Sequence, residues 1–132
     1  MNLLIDTNVL IPVIEDQLDA LPREIRNEVE HSATPMIVSV ISLWEAAIKH
    51  RQGKLPIQWP LDDWPTILFT LGIHIFDLKI SHVLAEAHPV PDTKDPFDRM
   101  LLAICQAERL RLVTTDSKLK NHPLAWHPPA AA

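Results

Sequence analysis

A chain of 132 residues with 47% hydrophobic side chains is the size of one ordinary domain and has enough apolar surface for a sizeable core. Its formal net charge of −5 excludes a surface that grips phosphate backbones by broad positive potential, although it leaves nucleic acid open as a partner. One cysteine, Cys105, excludes an internal disulfide, and no secretory leader or membrane-length apolar run is visible, so a reducing, cytoplasmic setting is expected.

In chain order, Leu3 to Ile5 predicts a short buried strand. The spacing of Val9, Leu10, Val13 and Ile14 predicts a helix over 7–15. Pro22 opens a second, charged helix to about Glu30, and 35–40 returns to strand character. Ser42 followed three residues later by Glu45 is a capping-box pattern, which places the next helix over about 43–50, before Gly53. Residues 60–71 predict another helix, 73–76 a third strand and 81–88 a further helix. The stiff run Pro89-Val-Pro91-Asp-Thr-Lys94 then delivers Asp95-Pro96 into the longest helix, 96–110, followed by a strand over 111–114. A last short strand is expected around 124–127. Residues 1–127 read as a single domain, and the tail 128–132 as disordered.

Strand and helix alternate throughout, which predicts an α/β fold: a central, mainly parallel sheet of four to five short strands with helices on both faces. In such sheets ligands bind at the carboxyl ends of the strands. Four acids are attached to core-forming segments: Asp6 after Leu3-Leu-Ile5, Glu45 within Ile41-Ser-Leu-Trp-Glu-Ala-Ala-Ile48, Asp98 before Met100-Leu-Leu-Ala-Ile104, and Asp116 after Leu112-Val-Thr-Thr115. Buried carboxylates cost several kcal/mol unless a cation or hydrogen bonds compensate, so acids placed this way are candidate metal ligands. Hard oxygen donors with no His or Cys spacing point to Mg²⁺ or Mn²⁺ rather than zinc. Each acid also has a bland reading. Asp6 and Asp116 could be helix caps, Asp98 a first-turn dipole acid, and Glu45 half of a capping box.

Four ordered motifs resemble a known family. They are Leu4-Ile-Asp6-Thr-Asn-Val-Leu10, Val40-Ile-Ser-Leu-Trp-Glu45-Ala-Ala-Ile-Lys49, Asp95-Pro-Phe-Asp98-Arg-Met-Leu-Leu-Ala103 and Leu112-Val-Thr-Thr-Asp116. Together they extend from residue 3 to about residue 120. The chain so resembles a PIN-domain ribonuclease of the VapC toxin type. That resemblance implies a PIN-like three-layer fold and Mg²⁺ or Mn²⁺ held by Asp6, Glu45, Asp98 and Asp116. It also implies hydrolysis of RNA phosphodiesters, a cognate antitoxin and a homodimer. A non-catalytic Mg²⁺-binding acidic domain, receiver-like or a silent PIN domain acting through a protein partner, is the alternative.

Around the acids, Thr7, Asn8, Thr114 and Thr115 are placed to orient ligands or water, with Asn8 and Thr115 the chosen candidates, and Asp95 is expected mainly to cap its helix. Lys49, Arg51 and Lys54 are candidates for RNA contact, with a solvated helix end as the bland reading; Arg99 is expected in an exposed salt bridge. The histidines, His82 among them, lack a paired acid in the sequence and are expected on the surface or in loops. Trp44, Trp59 and Trp64 are expected in core or interface packing, with base stacking the lesser reading. The apolar residues of the first half, Val9, Leu10, Val13, Ile14 and Leu18, are expected to exceed what the chain can cover by itself.

Overall fold

A computed structural model describes residues 2–129. Four strands, β1 (Leu3–Ile5), β2 (Met36–Ser39), β3 (His74–Phe76) and β4 (Arg111–Val113), form one sheet in the order β3-β2-β1-β4. All three pairings are parallel, with Leu4 opposite Ile37 on one side and Leu112 on the other. The expected strand at 124–127 is reduced to a single bridge between Leu112 and Ala125. Of the tail expected to be disordered, residues 130–132 lie outside the described residues.

Successive strand residues point to opposite faces, and here both faces are covered. Leu3, Ile5, Met36, Val38 and Val113 join one apolar cluster with Val9, Leu10, Val13 and Ile14 of α1 (Thr7–Ile14). Leu4, Ile37 and Leu112 join the other, with Leu101, Leu102, Ile104 and Cys105 of α6 (Pro96–Glu108). Fully buried leucines such as Leu4, Leu101 and Leu112 each contribute about 1.5–3 kcal/mol through burial. Val9, Leu10, Val13 and Ile14 are thus covered by the chain's own core, and Leu18 is half-buried, contrary to the expected surplus.

The remaining helices are α2 (Arg23–His31), α3 (Val40–Arg51), α4 (Trp64–Thr70) and α5 (Ile80–Leu84). Three differ from expectation. Helix α3 begins at Val40, because β2 runs directly into it and Ser39 caps it by accepting the Ile41 N–H; Ser42 and Glu45 lie inside the helix and form no capping box. The expected helix over 60–71 divides into a 3₁₀ turn (Leu61–Asp63) and α4, with Pro65 in its first turn. The helix expected over 81–88 stops at Leu84, where Ala85 is extended.

Gly53 and Gly72, both with positive φ, close the turns after α3 and α4. Lys54 and Ile73 reach back to Lys49 and Leu68 by backbone hydrogen bonds of 2.9 Å there. These turns return the chain toward the sheet. The consequence for function is that β1 and β4 end side by side, with the N-termini of α1 and α6 and the middle of α3 around them.

Candidate metal centre

Asp6 leaves β1 at its carboxyl end, where its N–H still donates to Val113 of β4 at 2.9 Å. The side chain is 3% exposed and caps α1, accepting the Thr7 N–H on Oδ1 at 2.7 Å. The cap reading of Asp6 is therefore true, and it coexists with a place in the acid cluster. Its Oδ2 accepts from the Thr114 hydroxyl at 2.7 Å. That same hydroxyl accepts the Asp116 N–H at 3.0 Å, so one threonine ties two of the four acids together.

Glu45 is 6% exposed on α3. Its Oε1 accepts from the Thr7 hydroxyl at 2.6 Å, and its Oε2 is paired with Lys49 Nζ at 2.8 Å, one helical turn further on. Asp98 is half-buried in the first turn of α6 and accepts from the buried Thr93 hydroxyl at 3.3 Å. Thr93 in turn accepts the Asp95 N–H at 3.2 Å. Asp95 itself is exposed and caps α6, bonded to the N–H groups of Phe97 and Asp98, as the sequence predicts. Asp116 is half-buried and accepts the Lys118 N–H at 2.8 Å, so it also caps a turn.

The electrostatics place the four acids in one field. Burial pushes the Asp6 carboxyl above the usual carboxylate range, Thr114 and Thr7 pull it down, and the charges of Glu45 and Asp116 push it up again. Asp98 is pushed up to about 7, by burial first and then by Asp95, Asp6 and Asp116. The Lys49 ammonium is held above its ordinary value by its bond to Glu45, with Asp95 and Asp6 adding to the effect. Carboxylates that raise one another in this way favour an added cation, and an all-oxygen donor set suits a hard divalent ion such as Mg²⁺ or Mn²⁺. The Ser42 hydroxyl adds a polar atom. It is fully buried one turn before Glu45 on the same helix stripe and has no hydrogen-bond partner. The acids nonetheless share a field rather than a point: among the described residues, no three His, Cys, Asp or Glu side chains stand close enough to hold an ion as placed. Donor chemistry and charge fit such an ion, while the donors as placed do not close around one.

Buried threonines carry the hydroxyl contacts to the acids. Asn8 is exposed and Thr115 half-buried, and the acid-directed hydrogen bonds come instead from Thr7, Thr114 and Thr93. For Thr7 and Thr114 the available signal was a hydroxyl one or two residues from an acid at a strand end. Lys49 stands inside the cluster, whereas Arg51 and Lys54 are exposed beyond it. Arg99 pairs with Glu86 at 3.3 Å and donates to the carbonyls of Thr93 and Pro91, which fixes the loop before α6. His82 overturns the surface expectation. It is fully buried, and its Nε2 lies 2.8 Å from Glu108 of α6, a paired acid 26 residues away in sequence. Trp64 is buried as expected, but Trp44 and Trp59 are 56% and 44% exposed, which overturns the core reading for both.

A parallel α/β domain with a carboxylate cluster at the carboxyl ends of its strands defines the class. This chain belongs to the PIN-domain family, whose model matches residues 3–123. In fold it is similar to a chain of the Rickettsia felis VapBC2 crystal structure, solved with a DNA fragment from the pair's promoter, at a TM-score of 0.60 and 16% identity over 95% of this chain and 96% of that one. It is likewise similar to a chain of a toxin–antitoxin complex from Klebsiella pneumoniae, with a TM-score of 0.61 and 20% identity over 96% of this chain and 97% of the other. No curated protein sequence matches it significantly. Among the described residues no helix is long and apolar enough to cross a membrane.

Proposed function

We propose that this protein is a Mg²⁺- or Mn²⁺-dependent endoribonuclease, the toxin of a type II toxin–antitoxin module, working in the cytoplasm as a homodimer held in check by an antitoxin. The observation that carries the nuclease reading is the joining of Asp6 and Glu45 through Thr7, with Asp98 and Asp116 in the same field at the ends of β1 and β4. The toxin reading is supported by the family and by fold neighbours that come from VapBC2 and toxin–antitoxin structures.

Asp6, Glu45, Asp98 and Asp116 would hold the ion, which when bound stabilises charge on a phosphodiester and acidifies water. The chain's own contribution is placement. Thr7 sets the rotamers of Asp6 and Glu45 together, Thr114 does so for Asp6 and the Asp116 backbone, and Lys49 neutralises Glu45. Asp98 has a protonation equilibrium near neutrality and can exchange a proton for a cation at little cost. Arg99 is occupied by Glu86 and two carbonyls and is not available as a phosphate clamp.

The experiment is cleavage of labelled structured RNAs with Mg²⁺, Mn²⁺ or EDTA, beside Asp6→Asn. The variant should lose more than the ~10–100-fold that removing an outer partner costs, yet fold normally because one of several mutually repelling carboxylates is gone. An active Asp6→Asn protein would sink the assignment. The Lys49–Glu45 pair favours the second reading, a silent acidic domain acting through a protein partner, because a lysine already balances one acid. Under that reading neither protein cuts any RNA class.

A further inference from the structure

Trp44 precedes Glu45 on α3, and Phe97 precedes Asp98 on α6. Their rings meet edge to face with centroids 5.6 Å apart and planes at 67°, so the pair spans α3 and α6 at the positions next to two of the four acids. Phe97 is half-buried and packs on the apolar cluster behind α6. Trp44 keeps 56% of its surface in solvent and belongs to neither apolar cluster. An indole braced by a packed phenyl ring and still more than half exposed costs little further entropy when something lies against it.

The charge of the site says what that something is. A protein of net charge −5 with four acids at its site offers RNA phosphates little beyond the ion those acids would hold, and Lys49 among them is paired with Glu45. Further affinity is available from a part of RNA that carries no charge, and nucleobase faces are that part. We propose that Trp44, propped by Phe97, is a stacking shelf for an unpaired nucleobase beside the acidic site. The shelf rests on the nuclease reading above. A protein partner is the other occupant open to an exposed ring, and the test separates the two.

The test compares the wild type with Trp44→Ala, Trp44→Phe and Trp44→Leu on a single-stranded RNA that the wild type cuts, and on the same RNA with single abasic positions. Stacking worth ~1–3 kcal/mol per base gives roughly 5- to 150-fold higher KM for Trp44→Ala with kcat little changed. Trp44→Phe should stay near wild type, and Trp44→Leu should behave as alanine does. One abasic position should weaken the wild type while leaving Trp44→Ala unaffected, a coupling that a packing role cannot produce. Equal KM across the series, or rescue by leucine, overturns the shelf while leaving the nuclease in place. A change in oligomeric state or antitoxin affinity with unaltered KM assigns the ring to a protein interface and overturns it too. A wild type that neither cuts nor binds RNA removes the nuclease reading and the shelf with it.

Discussion

The two halves of the acid cluster are built differently. Asp6 and Glu45 are almost wholly buried, share Thr7 through bonds of 2.7 and 2.6 Å, and have Lys49 as a counter-ion at 2.8 Å. Asp98 and Asp116 are half-buried; Asp98 has one 3.3 Å bond to Thr93, and Asp116 is bonded to the turn that follows it. The first half is fixed by the sheet and by α1, and the second hangs from the start of α6 and a loop after β4. The proposed ion would meet two acids held by buried hydrogen bonds and two that are half-buried and less tightly held.

The largest effect that separates the halves is expected from Thr7→Val against Thr93→Val. Valine keeps the branched shape and deletes the hydroxyl, leaving a buried Glu45 oxygen without its donor. Thr7→Val should lower Mn²⁺ affinity and kcat/KM by ~10–100-fold, the usual cost of losing an outer partner. Thr93→Val removes the longer bond to Asp98 and the acceptor of the Asp95 N–H, neither of them on a wholly buried acid, and should cost well under ~10-fold. Titration of Mn²⁺ by calorimetry, with RNA cleavage alongside, reads both. Equal losses would mean that the half-buried side is just as rigidly positioned and that the contrast is false.

A smaller effect follows from the protonation of the looser half. Asp98 is pushed up to about 7 from an ordinary 3.8, so the folded metal-free protein holds its proton more tightly than the unfolded chain does. That contribution is fully present below the unfolded value and is lost as pH rises through about 7. Metal-free Tm should therefore fall between pH 5 and 7.5, by only a few degrees because the group is partly solvent-screened. Asp98→Asn should make that slope shallower without abolishing it, since Asp6 is raised in the same direction. Added Mg²⁺ should stabilise more at the higher pH, where protons compete less. A variant with an unchanged slope would place the titration elsewhere.

How legible these halves were in the sequence follows from how local their causes are. Strand alternation, the Asp95-Pro96 helix start and the strand-end positions of Asp6 and Asp116 depend on neighbouring residues, and all were readable. Ser42 marked the helix start in the sequence because Glu45 follows it by three residues, whereas Ser39 caps the helix in the fold. The choice was made by β2, whose last residue already supplies the cap. His82 was misplaced because its partner Glu108 comes from α6 and meets it only across the packing of α5 on α6. The exposure of Trp44 was hidden for a similar reason. Its apolar sequence neighbours Ile41 and Ala46 face inward while it faces out, and helix phase alone does not say which way a stripe is turned.

Ser42 carries the smallest prediction and tests the rigid half most finely. Its hydroxyl lies in the interior one turn from Glu45, and among the described residues it is the buried side-chain polar atom with no hydrogen-bond partner. An unpaired buried hydroxyl is a cost, and alanine removes it with almost no change in volume. Ser42→Ala should therefore raise the stability of the metal-free protein by about 1 kcal/mol, seen as a shift of several degrees in Tm. If the hydroxyl serves a filled centre, the gain should shrink when Mg²⁺ or Mn²⁺ is added, because the wild type then recovers a partner that alanine cannot supply. A gain equal with and without metal would make Ser42 a plain packing residue, and the rigid half would then end at Thr7, Glu45 and Lys49.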